Sequence, residues 1–72
     1  MYGIHNLKFM KISQIRYARH ISVETLAKRS GVSQSTITRI ENNMEDPRLS
    51  TLVAIAKALH VHITDLYEER HF

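Results

Sequence analysis

From Arg29 to Asn43 the chain reads RSGVSQSTITRIENN. Six side chains there, Ser33, Gln34, Ser35, Thr36, Thr38 and Arg39, are hydrogen-bonding groups set among the apolar Val32, Ile37 and Ile40. Presented on an outward helix face, such a set can read base edges: a glutamine amide matches adenine and an arginine fork matches guanine. Hydroxyls at the same face suit base or phosphate. Catalysis fits the stretch less well. Ser33, Ser35 and Glu41 lie on one short segment with no cleft or cofactor motif visible in sequence, so no enzyme is expected. The five histidines raise metal binding or pH sensing, since His60 and His62 form an H-x-H pair and imidazole titrates near neutrality. Both fall at a helix junction, where turning and capping account for them. Neither a metal nor a cofactor is expected.

These residues need helices to place them. Leu7, Ile12 and Ile15, with Met10 or Phe9, form a helical stripe that predicts a first helix over about residues 7 to 19, with Asn6 able to cap it. Ser22 then stands as N-cap before VETLAKRS, with Glu24 in the first turn and Lys28 and Arg29 near the last, the arrangement the helix dipole favours. Gly31 ends that helix. Ser33 opens a third, over about 34 to 41, with Ile37 and Ile40 inward. NNMEDPR reads as a loop, Ser50 as the cap of a fourth helix with Leu52, Ile55, Ala56 and Leu59 inward, and HITDLYEER as a short fifth. No alternating strand pattern or repeat competes.

The spacing now explains the apolar frame. Counting from Val23, Leu26 and Ala27 are fourth and fifth, Gly31 ninth, Val32 tenth, Ile37 fifteenth and Ile40 eighteenth. That is the frame of a helix-turn-helix, here over about residues 22 to 42. A small residue at Ala27 permits close helix approach, Gly31 can turn left-handed without a Cβ penalty, and the apolar positions lock the crossing angle.

The segments IR at 15 and 16, TLAKRSGVSQSTITRIEN at 25 to 42, Pro47, and LVAIAKALHVHITDL at 52 to 66 resemble the Cro/CI-type (XRE) helix-turn-helix family of phage repressors and small bacterial transcription regulators. The resemblance covers nearly the whole chain. It implies an all-α, compact five-helix domain like that of lambda repressor, a single domain over 1–72, that binds operator DNA as a dimer. It implies a recognition helix at about 34 to 41, and a structural ion pair between Arg16 and Glu41 that reads no bases. It also implies that Arg48 approaches the sugar-phosphate backbone. Gln34, Ser35, Thr36 and Arg39 are the expected base contacts, and Ser33, Thr38, Asn42, Asn43 and Arg48 the expected backbone contacts. Lys11, Arg19, Lys28 and Arg29 add longer-range attraction. Three places depart from the family pattern. Val23 stands where a phosphate-touching Gln is common, His20 and His60 stand where glycines usually follow helices, and His62 replaces a Ser or Thr cap.

Composition agrees with a nucleic-acid partner. Net charge is +3, yet residues 1 to 40 carry seven basic side chains against Glu24 alone, while residues 41 to 72 carry three against six acids. A polyanion would meet the basic half. The 72 residues sit near the lower limit for a self-sufficient core, and with no cysteine the stabiliser must be packing or a partner. No apolar run approaches the roughly 20 residues of a membrane span, so a cytoplasmic protein is expected, and the family resemblance implies a bacterial or phage origin. Val61, Ile63, Leu66, Tyr67 and Phe72 leave apolar material in the last dozen residues, and Ile63 and Tyr67 are the expected homodimer contacts, with Tyr2, Ile4 and Phe9 next. A protein-interaction module such as the antitoxin of a toxin-antitoxin pair, with autoregulatory DNA binding, is the alternative function on the same fold.

Overall fold

Four α-helices make the body of the molecule. The computed structural model describes residues 6–71; Tyr2, Ile4, His5 and Phe72 lie outside the described residues. In chain order the elements are strand β1 (Asn6–Met10), helices α1 (Ile12–Ala18), α2 (Val23–Ser30), α3 (Gln34–Glu41) and α4 (Leu49–Leu59), a single 3₁₀ turn (Ile63–Leu66) and strand β2 (Tyr67–His71).

The interior is built from one or two residues per element. Ile12 of α1, Leu26 of α2, Ile37 and Ile40 of α3, Ile55 and Leu59 of α4 and Leu66 of the 3₁₀ turn are all fully buried. Burying each such side chain contributes about 1.5–3 kcal/mol, so the frame counted from Val23 is where much of the stability is generated. Ala27 and Val32 pack against the same cluster. Val23 does so too, which explains the departure at that position: its side chain joins the core instead of reaching outward.

Helix ends follow the local chemistry. Ser22 accepts the Thr25 N–H at 3.0 Å and Ser33 accepts the Thr36 N–H at 3.2 Å, so both expected N-caps close their first turns. Gly31 ends α2 at φ +77°. The other three helices end with a non-glycine residue in the same left-handed region, namely His20 (φ +56°), Asn43 (φ +58°) and His60 (φ +58°). In each case the next N–H reaches back five residues: Ile21 to Arg16 O, Met44 to Arg39 O and Val61 to Ala56 O. This 6→1 closure satisfies a carbonyl that the helix would leave bare. Asn adopts the conformation cheaply, whereas His carries a Cβ penalty. His60 is exposed, so His60→Gly gives up little packing. The variant is expected to gain about 1 kcal/mol, read as a rise of several degrees in melting temperature. An unchanged or lower melting temperature would show that the imidazole contributes more than its strained backbone costs.

Three expectations are corrected. The first helix begins at Ile12 rather than near residue 7, because residues 6–10 form a strand antiparallel to residues 67–71, with Asn6 opposite His71, Lys8 opposite Glu69 and Met10 opposite Tyr67. Lys11 N–H donates to Leu66 O at 2.7 Å and fixes the junction of strand and helix. The fifth helix is absent: ITDL folds into one 3₁₀ turn, tied by the His62 N–H to Asp65 Oδ2 at 2.9 Å, and the chain then runs into β2. Four residues cannot propagate an α-helix against the cost of its nucleus, and pairing with β1 satisfies the following backbone instead. The fourth helix starts two residues early. Arg48 is its N-cap with no side-chain cap bond, and its carbonyl accepts the Leu52 N–H at 3.0 Å, so Ser50 lies inside the first turn. The all-helical body therefore holds four α-helices, with a two-stranded sheet closing its ends.

Candidate nucleic-acid interface

The helix α3 is held from behind. With Ile37 and Ile40 fully buried, the residues at i, i+1, i+4 and i+5, that is Gln34, Ser35, Thr38 and Arg39, all fall on the opposite side and are exposed. Thr36 is half-buried at the flank of this face. Its hydroxyl oxygen accepts from Ser33 Oγ at 2.8 Å, and Ser35 Oγ lies 3.4 Å from Ser33 Oγ. The structure thus brings Gln34, Ser35 and Arg39 into one outward face and draws Thr36 into the cap. Ser33, Asn42 and Asn43 stand at the two ends of α3 and are exposed, as is Arg48 at the N-cap of α4. Lys11, Arg19, Lys28 and Arg29 are exposed as well, Lys28 and Arg29 in the last turn of α2.

Arg16 and Glu41 fix this helix to α1. Arg16 Nε donates to Glu41 Oε2 at 2.8 Å and Arg16 Nη2 to Glu41 Oε1 at 3.0 Å, a two-pronged pair with side chains 8% and 9% exposed. The remaining prong, Nη1, donates to Ile21 O at 3.1 Å, so the guanidinium ties α1, α3 and the turn before α2 together. Its carbon sits 4.9 Å from the centre of the Tyr17 ring. The hydrogen bond to Glu41 raises the Arg16 pKa above the ordinary arginine value, against the opposing effect of burial. A raised arginine pKa stabilises the fold below the ordinary arginine range and loses that contribution only as pH climbs past it. The Arg16 side of the pair is therefore charged at any pH compatible with intact duplex DNA.

Arg39 has a partner that helical spacing does not reveal. Its Nε donates to Glu45 Oε1 at 2.8 Å, six residues on in the loop. An i, i+6 pair is not a neighbour relation on a helix; it arises because the chain reverses at Asn43.

Ile63 and Tyr67 are half-buried and packed against the core. Ile63 lines a shallow apolar groove of about 440 Å³ with Val53, Ala56, Lys57 and Val61. Tyr67 lies opposite Met10 in the sheet and outside that groove. Among the described residues no helix is long and apolar enough to cross a membrane.

Comparison with known proteins agrees with this geometry. A family model described as helix-turn-helix matches residues 12–66. A transcriptional regulator of Methanocaldococcus jannaschii of the helix-turn-helix type is 39% identical over 57 residues, covering 79% of this chain and 86% of that protein. One from Mycobacterium tuberculosis is 40% identical over 52 residues, 72% of this chain, which spans only 37% of that relative's length. Among solved structures, the restriction-modification controller protein C.AhdI from Aeromonas hydrophila superposes with a TM-score of 0.74 at 27% identity, over 76% of this chain and 83% of its own. A matched segment that runs from the first buried residue of α1 to the last of the 3₁₀ turn, with relatives of the same kind on either side, places the chain in the XRE-type helix-turn-helix family.

Proposed function

We propose that the protein is a sequence-specific regulator that binds double-stranded DNA, and that it represses transcription by occupying a near-palindromic operator as a homodimer in the cytoplasm. The observation that carries this reading is the row Gln34, Ser35, Thr38 and Arg39, exposed on a helix whose other side is locked into the core. A helix that cannot roll presents these groups at fixed positions, which is what reading base edges in a major groove requires. Gln34, Ser35 and Arg39, with Thr36 at the flank, read bases. Ser33, Thr38, Asn42, Asn43 and Arg48 position the phosphate backbone, and the exposed bases of α1 and α2 supply attraction that salt screens. No chemistry is needed: occupying promoter DNA excludes other proteins. The likeness to a restriction-modification controller and to named transcriptional regulators supports a regulatory role.

Selection of bound duplexes from a random pool tests this directly. The parent protein is expected to enrich one two-fold-related site with half-sites roughly 34 Å apart. On that site Gln34→Ala should cost about 1–3 kcal/mol, the range of one good base contact, and almost nothing on random DNA. Equal loss on both would remove Gln34 from base reading, and failure of the parent to enrich any sequence would overturn the function.

A further inference from the structure

The loop after α3 carries an acid onto the face that would meet DNA. Glu45 Oε1 accepts from Arg39 Nε at 2.8 Å, with side chains 37% and 45% exposed, and Arg39 Nη2 lies 3.4 Å from Thr36 Oγ1. The backbone sets this arrangement. Met44 N–H donates to Arg39 O at 2.8 Å and Asn43 N–H to Ile40 O at 3.1 Å, which turns the loop back over the end of α3. An ion pair this exposed contributes little to folding. A carboxylate beside a polyanion also repels it. Neither stability nor DNA affinity therefore accounts for Glu45.

We propose that Glu45 is a specificity-determining residue: it positions Arg39 for guanine and keeps that arginine from phosphate. The inference rests on the DNA-reading function proposed above. Arginine offers five N–H donors in a rigid fork. With Nε held by Glu45 and one Nη2 proton turned toward Thr36, the end of the fork, Nη1 with the second Nη2 proton, is left to face outward. That end matches guanine O6 and N7. When docking expels water, the attraction between Arg39 and Glu45 strengthens, so the side chain is less free to swing to a neighbouring phosphate. Freed from Glu45, Arg39 becomes a general phosphate contact. It would then add affinity for every sequence and discriminate among none.

The test compares the parent with Glu45→Gln and Glu45→Ala on three duplexes: the site selected by the parent, the same site altered at the base pair where Arg39→Ala relaxes preference, and random DNA. A salt series accompanies each. The parent is expected to discriminate the altered site by about tenfold or more. Glu45→Gln keeps most of that ratio, because its amide oxygen still accepts from Nε. Glu45→Ala reduces it to about twofold or less, binds random DNA several-fold tighter, and steepens the salt dependence by about one phosphate equivalent. Melting temperatures of both variants stay within a few degrees of the parent, since the pair is exposed. A Glu45→Ala protein that discriminates as the parent does overturns the inference while leaving DNA reading intact. A parent that selects no site, or an Arg39→Ala variant that relaxes preference nowhere, defeats the underlying function of Arg39 and this inference with it.

Discussion

Glu41→Ala is expected to lower the unfolding free energy by about 3–5 kcal/mol, the range for removing one partner of a buried pair. The substitution leaves the Arg16 guanidinium, 8% exposed, still bonded to the Ile21 carbonyl but without the carboxylate that balances its charge. The uncompensated charge, more than the lost attraction, sets the size of the effect. For a small domain with a total stability of about 5–15 kcal/mol, such a loss would unfold a substantial fraction near physiological temperature. Replacing both partners by leucine should be far less harmful, because no charge is then stranded. Urea denaturation of the two single variants and the double variant isolates the coupling between them. Operator binding should fall in proportion to the unfolded fraction, since neither residue lies on the exposed face of α3. A Glu41→Ala protein that melts like the parent yet fails to bind DNA would instead make Glu41 part of the interface.

What could be read from sequence was what is decided locally. Ser22 and Ser33 cap their helices through bonds within three residues, and Gly31 turns left-handed for reasons internal to one residue, so α2, the turn and α3 were legible almost to the residue. His20 and His60 were legible only as departures from the usual glycines; that both nevertheless take positive φ is decided by the way the chain turns there. The errors involve choices made at long range. Leu7 and Phe9 alternate about Lys8 as well as they fit a helical stripe, and only the arrival of Tyr67–His71 from the far end of the chain decides for the strand. YEERH has no apolar alternation to announce itself as that partner. The start of α4 moved because the Arg48 carbonyl, with no help from a capping side chain, opens the helix directly after Pro47. The partner of Arg39 was hidden because Glu45 comes within reach only after Asn43 reverses the chain.

Ile63→Glu is expected to separate the proposed dimer and to weaken binding to a two-fold operator by about a hundredfold or more, the advantage lost when two linked half-site contacts become independent. Ile63 is half-buried and lines the apolar groove with Val53, Ala56 and Val61, so a monomer leaves oily surface in contact with water there. A two-fold contact sets the same surface against itself, which brings two Ile63 side chains near one axis and, in the variant, two carboxylates. Like charges facing each other in a closing interface cost several kcal/mol. The groove is lined by α4 and the residues after it and by no residue of α3, so each monomer should still bind a single half-site about as before. Sedimentation of the free protein and titration of full and half operators together decide it. If the variant sediments as an unchanged dimer, Ile63 is outside the interface, and Tyr67, at the start of β2 and opposite Met10, is the next position to charge. If it becomes monomeric yet holds the full operator undiminished, the two half-sites are bound independently and a two-fold assembly is not what selects the operator.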